Sequence, residues 1–497
     1  CERGVYANAK LLLDCGASIN ILDKGNNNAL HFASSSKYDT TDIVNLLITR
    51  GIDVNIQNKS GATALHLVCE KGSHESAHIL LKYGSSINVV DKDNCSALHY
   101  ASRSWTDNRN IIKLLIEKGI DVNIQDESGN TALLFACKNC DYEITEMLFK
   151  VGSSINDMDK ENNNALHYAA KAECEKEDIF ELLIEKGINV NFQNKSGTTA
   201  LHLACENALC DVAKTLLESA ASVNILDIDN NNALHYYVRT LDRNLRKIFN
   251  QQWEETLQIA PEQGTAAIIT LLVENGIDVN AKNKNGTTPL QLACKHTVYE
   301  KVEMLLTCGA LTNLMDEENN NALHYASNSE YENQHIINLL IQKGVDVNAQ
   351  NKYGTTALQL ACKNGVYGNT EILLEYDASI KITDENNQSA LHYALESEAD
   401  KKCVIKLLIE KGIDINTRSE NGTTALQLAC KKGVYDLVDM LLEFGASVNT
   451  LDKCNNNALH YGLWARGDNR RILKLLIEKC VDIRVQNKIK VAAFQLV

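Results

Sequence analysis

Sixteen cysteines and thirteen histidines give this chain its largest chemical capacity, and their spacing decides whether that capacity is used. A Cys with a His three residues ahead, as in His66 and Cys69, has the residue types of a nucleophile and its base. Cys137-x-x-Cys140 has the spacing of half a zinc site, which needs a second Cys or His pair to close it. Asp227-Ile-Asp229-Asn-Asn231 imitates the opening of a calcium loop, which then requires Gly at the sixth place and Glu at the twelfth. Each candidate fails on the sequence itself. The sixth and twelfth places of the calcium-like run hold Asn232 and Val238, and no second ligand pair accompanies Cys137 and Cys140. Seven cysteines (Cys1, Cys69, Cys137, Cys205, Cys294, Cys362 and Cys430) share one repeating register, where a small hydrophobe packs. Several of those units keep the Cys but carry Gln291, Gln359, Gln427 or Leu134 where the His should stand. Gln can hydrogen-bond and cannot titrate near pH 7, so a His interchangeable with Gln reads as a structural bridge. There is no Gly-rich phosphate loop, so neither cofactor nor metal is expected.

Composition excludes further classes. The 497 residues carry 49 Lys plus Arg against 64 Asp plus Glu, a formal charge of −15. A body this acidic is unsuited to nucleic acid or to an anionic membrane. No apolar run approaches the ~18 residues of a spanning helix. No signal peptide is expected at the start, where Cys1-Glu2-Arg3-Gly4 precedes any hydrophobic stretch, and Asn58-Lys59-Ser60 is discounted as a glycosylation site. A cytoplasmic protein with reduced cysteines is expected.

The elements that position these residues recur. The Ala (once Pro) of Asn-Asn-Asn-Ala-Leu-His-Tyr or Gly-Thr-Thr-Ala-Leu-His-Leu falls at 29, 64, 97, 132, 165, 200, 233, 289, 322, 357, 390, 425 and 458. Steps of 35 and 33 alternate, broken once by a step of 56 that holds 21 extra residues. One solenoid follows, not three domains. Before each Ala stands Asn, Thr or Ser, an N-cap. Two positions before that cap, Gly61, Gly129, Gly197, Gly286, Gly354 and Gly422 alternate with Asn26, Asn94, Asn162, Asn230, Asn319, Asn387 and Asn455, residues that tolerate a left-handed turn. A first helix of about ten residues is expected there. A second helix carries Ile43, Leu46, Leu47 and Ile48 or their equivalents, and Gly51, Gly84 and Gly119 close it.

The pattern resembles the ankyrin repeat, with Thr287-Thr288-Pro289-Leu290 the nearest literal match and Gly445-Ala446-Ser447-Val448-Asn449 similar to its inter-repeat loop. The resemblance covers essentially the whole chain. It implies an all-α solenoid of helix–turn–helix units joined by β-turn or hairpin loops, and a non-catalytic scaffold or adaptor that binds proteins on a concave face. The resemblance also admits the cytoplasmic array of a transient-receptor-potential-like channel, or the targeting subunit of a phosphatase or ubiquitin ligase. The expected organisation is a partial repeat over 1–22, repeats over 23–238, an insertion over 239–264, repeats over 265–486 and a truncated repeat over 487–497. The array begins and ends in mid-unit, which suggests a piece of a longer protein or an incomplete gene model.

Two features could serve recognition. In the insertion, Leu245, Ile248, Phe249, Trp253 and Leu257 recur at helical spacing, with Pro261 and Gly264 ending that helix before the next resumes near Ala267. Phe249 and Trp253 then either pack on neighbouring repeats or anchor a partner. By the family's geometry, Arg103, Lys138, Lys171, Arg239, Lys295, Lys363, Lys431 and Trp464 face the groove. Tyr353 joins them from a turn tip that is otherwise rich in Lys, as at Lys24, Lys59 and Lys92. A basic stripe on an acidic body suits an acidic or extended peptide partner. Tyr100, Tyr168, Tyr236, Tyr325, Tyr393 and Tyr461 read as packing between repeats.

Overall fold

The computed structural model describes residues 1–104, 108–174, 177–239, 263–396, 401–465 and 469–488. Contacts divide the chain into two compact bodies, Cys1–Tyr237 and Val238–Val497. Among the described residues there are 27 helices, no strand, and two isolated bridges, Val90–Ser96 and Gln350–Thr356. The helices alternate in pairs. The first of each pair is short, from six residues in Ala29–Ser34 to eight in Ala64–Lys71, and so falls short of the ten expected. In three repeats a left-handed glycine (Gly72, Gly365, Gly433) stops it, because a positive φ breaks the helical ladder. The second is typically nine residues, and in Thr41–Thr49 it buries Ile43, Val44, Leu46, Leu47 and Ile48.

Turn chemistry follows the alternation. Asn26, Asn94, Asn162, Asn230, Asn319, Asn387 and Asn455 have φ of 55–62°, and the six turn glycines from Gly61 to Gly422 have φ of 72–85°. At Gly61 a Cβ would also strike the backbone of Asp91 and Lys92, so these positions serve the close approach of the next turn as well. There the Lys92 N–H donates to the Ser60 carbonyl at 2.9 Å. The same bond recurs from Lys59 to Gly25, Glu127 to Asp93, Lys160 to Ser128 and Lys195 to Glu161 in the first body, and from Lys352 to Glu318 and Lys453 to Asn421 in the second. Each turn tip is thus hooked to the one before it through backbone, and turn amides add to the hook, as where Asn58 Nδ2 donates to Asn27 Oδ1 and Asn351 Nδ2 to Asn320 Oδ1.

The Ala-Leu-His histidine ties each first helix inward. In the 35-residue repeats, Nδ1 of His324 accepts from the Asn321 N–H (3.3 Å), and the Asn321 side chain accepts in return from the His324 N–H (3.1 Å). Nε2 meets the carbonyl of Thr355 in the next turn at 3.1 Å. His31, His99, His167 and His392 make the equivalent bridge at 2.9–3.1 Å. In the 33-residue repeats Gln does this with two bonds, as Gln291 Nε2 donates to Leu314 and Asn320, both at 2.9 Å. His66 and His202 occupy the same short-repeat position, yet their Nε2 atoms are buried without a hydrogen-bond partner. Burial pushes both imidazoles down from 6.5, His202 to about 4.

Tyrosines do more than pack. Tyr236, Tyr325, Tyr393 and Tyr461 each donate to the Asp of their own turn (2.7–2.9 Å) and lie 3.0–3.3 Å from a Thr hydroxyl of the preceding repeat. The cysteine register is core. Cys69, Cys137, Cys205, Cys294, Cys362 and Cys430 are fully buried, and burial pushes their thiols well above the ordinary range. Cys1 departs from that expectation: it is exposed and precedes the first helix, Tyr6–Asp14, so nothing packs over it. Gly264 also departs, lying inside the helix Gln263–Glu274 and not ahead of it, since a single Gly costs a helix only about 1 kcal/mol.

Among the described residues, one long repeat lacks a hydrogen bond that the register before the second helix otherwise makes, where in the first of them Thr40 Oγ1 donates to Ala33. Before the second helix, Asn108 Nδ2 donates to Cys69 and Ala101, Asn333 to Ala326, and Asn469 to Gly462. The equivalent residue in the next-to-last long repeat is Lys401, 2% exposed, whose Nζ has no hydrogen-bond partner.

Two consequences are measurable. Lys401→Asn restores the amide donor and removes a buried ammonium, and should stabilise the second body by about 1–3 kcal/mol in thermal denaturation at pH 7. Folding lowers Lys401 from 10.5 to about 8, so wild-type stability should climb between pH 8 and 10.5, where the unfolded chain holds the extra proton, and the variant should lose that climb. His202→Gln should gain about 1 kcal/mol. It should also flatten the fall in stability that a histidine held near 4 imposes as pH drops from 6.5.

Candidate functional site

None of the weighed chemistry assembles. Among the described residues no group of three or more His, Cys, Asp or Glu could hold a metal ion. The calcium-like run is a closed turn. Asp227 Oδ1 accepts from the Asp229 and Asn231 N–H groups at 2.8 Å, while Oδ2 accepts from Asn231 Nδ2 and the Tyr236 hydroxyl at 2.9 Å. Six of the seven register cysteines and the nine register histidines are buried in the core.

What lies open is a line of side chains at the end of each first helix. In the first body the seventh residue counted from the repeat's Ala is Ser35, Glu70, Arg103, Lys138, Lys171 and Glu206, all exposed. In the second body it is Arg239, Lys295, Asn328, Lys363, Glu396, Lys431 and Trp464, again all exposed. The short first helix explains this: six or seven residues bury Ala, Leu, His and Cys on two faces, and the next residue emerges at the C-terminal end. Lys and Arg suit that end, where carbonyls point outward. Arg103 lies over the Tyr100 ring at 5.0 Å from its centre.

The expected basic stripe is therefore interrupted. Glu70, Glu206 and Glu396 share the register with the Lys and Arg positions. The continuous basic run is Arg103, Lys138 and Lys171, three consecutive repeats between two glutamates.

Two recesses in the second body gather these positions. One, of about 330 Å³, brings Lys295 and Asn328 together with Tyr325, Asn320, Asn351 and Leu360. Helix-end and turn-tip residues thus share one surface. The other, of about 720 Å³, brings Glu396, Lys431 and Trp464 around Leu395, Leu428 and Val434. Val434 was not anticipated, because its residue type and place before the second helix match those of Val298, which is buried. Tyr353 sits on a turn tip outside both recesses, 49% exposed, and the neighbouring Glu318 carboxylate raises its pKa. Phe249 and Trp253 lie outside the described residues. No described helix is long and apolar enough to cross a membrane.

The comparisons agree with this architecture. A family profile described as "Ankyrin repeats (3 copies)" matches seven overlapping segments, 34–126, 107–194, 133–227, 172–248, 257–351, 329–419 and 397–487. The chain is 28% identical over 215 residues to the B-cell lymphoma 3 protein homolog of Mus musculus, covering 42% of this chain and 47% of that protein. It is 27% identical over 223 residues to ankyrin repeat protein OPG189 of variola virus, covering 44% and 38%. It is 25% identical over 225 residues to the transient receptor potential cation channel subfamily A member 1 homolog of Caenorhabditis elegans, covering 45% and 18%. The chain thus spans less than half the length of these relatives. Ankyrin repeats are a protein–protein interaction module, and this chain belongs to the ankyrin-repeat family.

Proposed function

We propose that this chain is a non-catalytic scaffold or adaptor that binds partner proteins on the surface formed by first-helix ends and turn tips, and that the partner segment is acidic or extended. The observation that carries the reading is the exposed run Arg103, Lys138 and Lys171, one cation per repeat. With the turns hooked through backbone, these side chains are available to a ligand without cost to the fold. Lys295, Lys363 and Lys431 continue the chemistry in the second body, and Arg239 and Tyr353 belong to the same proposed surface. A cationic line on a protein of charge −15 steers an acidic segment to one face and repels it elsewhere.

A second reading is favoured by the likeness to the worm channel. There the array would be the cytoplasmic part of a membrane protein, and its surface would serve that channel's regulation. The targeting subunit of a phosphatase or ubiquitin ligase is the corresponding reading for an enzyme complex.

The test is site-specific photocrosslinking in an extract of the native source. A benzophenone side chain at Lys138 or Lys363 should give covalent adducts that diminish as salt rises from 50 to 300 mM. The same group at Lys113 or Lys406, exposed on second helices, should give none. Adducts confined to the second-helix positions would contradict the proposed surface.

A further inference from the structure

We propose that the first body contains a flexible joint between the repeats that begin at Ala132 and Ala165, created where Leu134 takes the place of the bridging His or Gln.

Thirteen repeats share the third position of the Ala-Leu-His block; twelve fill it with His or Gln and the other holds Leu134. At Gln291 the side chain donates across the interface to the carbonyls of Leu314 and Asn320, both at 2.9 Å. Gln359 and Gln427 repeat the pair of bonds at 2.8–3.4 Å. His66 and His202, whose Nε2 atoms are unpartnered, set their rings against Tyr100 and Tyr236 of the next repeat, with centres 5.1 and 5.0 Å apart. Leu134 has neither a donor nor a ring. The carbonyls of Asp157 and Asn163, which occupy the places of Leu314 and Asn320, therefore receive nothing from it.

Two further defects fall on the same interface. Asp157 stands in a register that holds Val89, Ile225 and Leu314 elsewhere, and its Oδ2 is buried without a hydrogen-bond partner. Such an atom sets its desolvation against the closed state. Gln125 Nε2 reaches the Met158 carbonyl at 3.5 Å, whereas Gln57 and Gln193 in the equivalent place each hold two carbonyls at 2.7–3.0 Å. The turn tips stay tied, by the Lys160 N–H to Ser128 at 2.8 Å and the Tyr168 hydroxyl to Asn130 at 2.5 Å. The first helices Ala132–Lys138 and Ala165–Lys171 thus part about those tips as about a hinge. In a solenoid coupled only through neighbours, the loss is confined to this interface. Lys138 and Lys171 end the two helices, so opening the joint changes the spacing of two consecutive cations in the exposed line.

Cys137 reports the opening. It is fully buried on the first of these helices, near the Cys174 thiol of the next repeat. Cys294 and Cys430 are equally buried in the same register, in repeats that carry Gln291 and Gln427. The full chain is treated with N-ethylmaleimide under native conditions, and the labelling of each cysteine is followed by peptide mass spectrometry. Cys137 should label roughly tenfold faster than Cys294 and Cys430. Leu134→Gln, with Thr131 already in the place of the Thr288 cap, should slow Cys137 to the rate of those two, and Asp157→Leu should slow it in part. Gln291→Leu should speed Cys294 by a similar factor. Unaltered far-ultraviolet dichroism should accompany each variant. Labelling of Cys137 as slow as that of Cys294 and Cys430 overturns the joint, and so does a Cys137 rate unmoved by both Leu134→Gln and Asp157→Leu. Should Leu134→Gln disturb the fold, Gln291→Leu decides: a Cys294 rate unchanged by it overturns the role given to the bridge. No partner enters this test, so its outcome is independent of the protein-binding reading.

Discussion

The structure depends on a backbone hydrogen bond between consecutive turn tips. The N–H of Lys92 donates to Ser60, that of Lys160 to Ser128, and the same bond repeats along each body. It requires a left-handed residue in the turn, which is why Gly and Asn hold that place and why a Cβ at Gly61 would collide with the next turn. Each such bond contributes about 1 kcal/mol net. Its larger effect is geometric, since within each body it sets the register of one repeat on the one before it. With register fixed by backbone, the histidine or glutamine bridge, the tyrosine–aspartate contact and the buried Ala and Cys positions all fall into line.

Two repeat types satisfy this constraint differently. The long repeat spends its two extra residues between its helices and closes that connection with Asn108, Asn333 or Asn469 reaching back to first-helix carbonyls. It then spans the turns with a Tyr that touches its own Asp and the Thr of the repeat before. The short repeat lacks that Tyr and relies on Gln291, Gln359 or Gln427, each bonded to two carbonyls. His66 and His202 sit where Gln reaches further, and Lys401 where Asn donates. Because neighbours couple only locally in a solenoid, such exceptions weaken one interface and leave the rest intact. The 21-residue insertion falls in the inter-helix connection of a long repeat, the place where the chain already varies in length.

Much of this was legible in the sequence. The alternation of 35 and 33, the caps before each Ala, the Asn and Gly turn positions and the buried Cys register are all local consequences of residue type. The bridging role of His was legible because Gln replaces it. Other features depended on distance in three dimensions. The Tyr hydroxyl contacts join residues 38 apart, which a packing pattern does not distinguish from ring burial. The helix-end line mixes both charges, because an exposed helix end accepts Glu70, Glu206 and Glu396 as readily as Lys or Arg. Val434 and Lys401 escaped notice for opposite reasons: a hydrophobe in a buried register proved half exposed, and a lysine in an exposed-looking connection proved buried.

Native-state hydrogen exchange of the turn-tip amides tests the central claim most directly. If the tips are hooked as described, the N–H groups of Lys59, Lys92, Lys160, Lys195, Lys352 and Lys453 should exchange as slowly as first-helix amides of the same repeats. Exchange of those six at free-peptide rates, with the helices still protected, would contradict the account, because the repeats would then be held in register by side-chain contacts and not by the backbone hook.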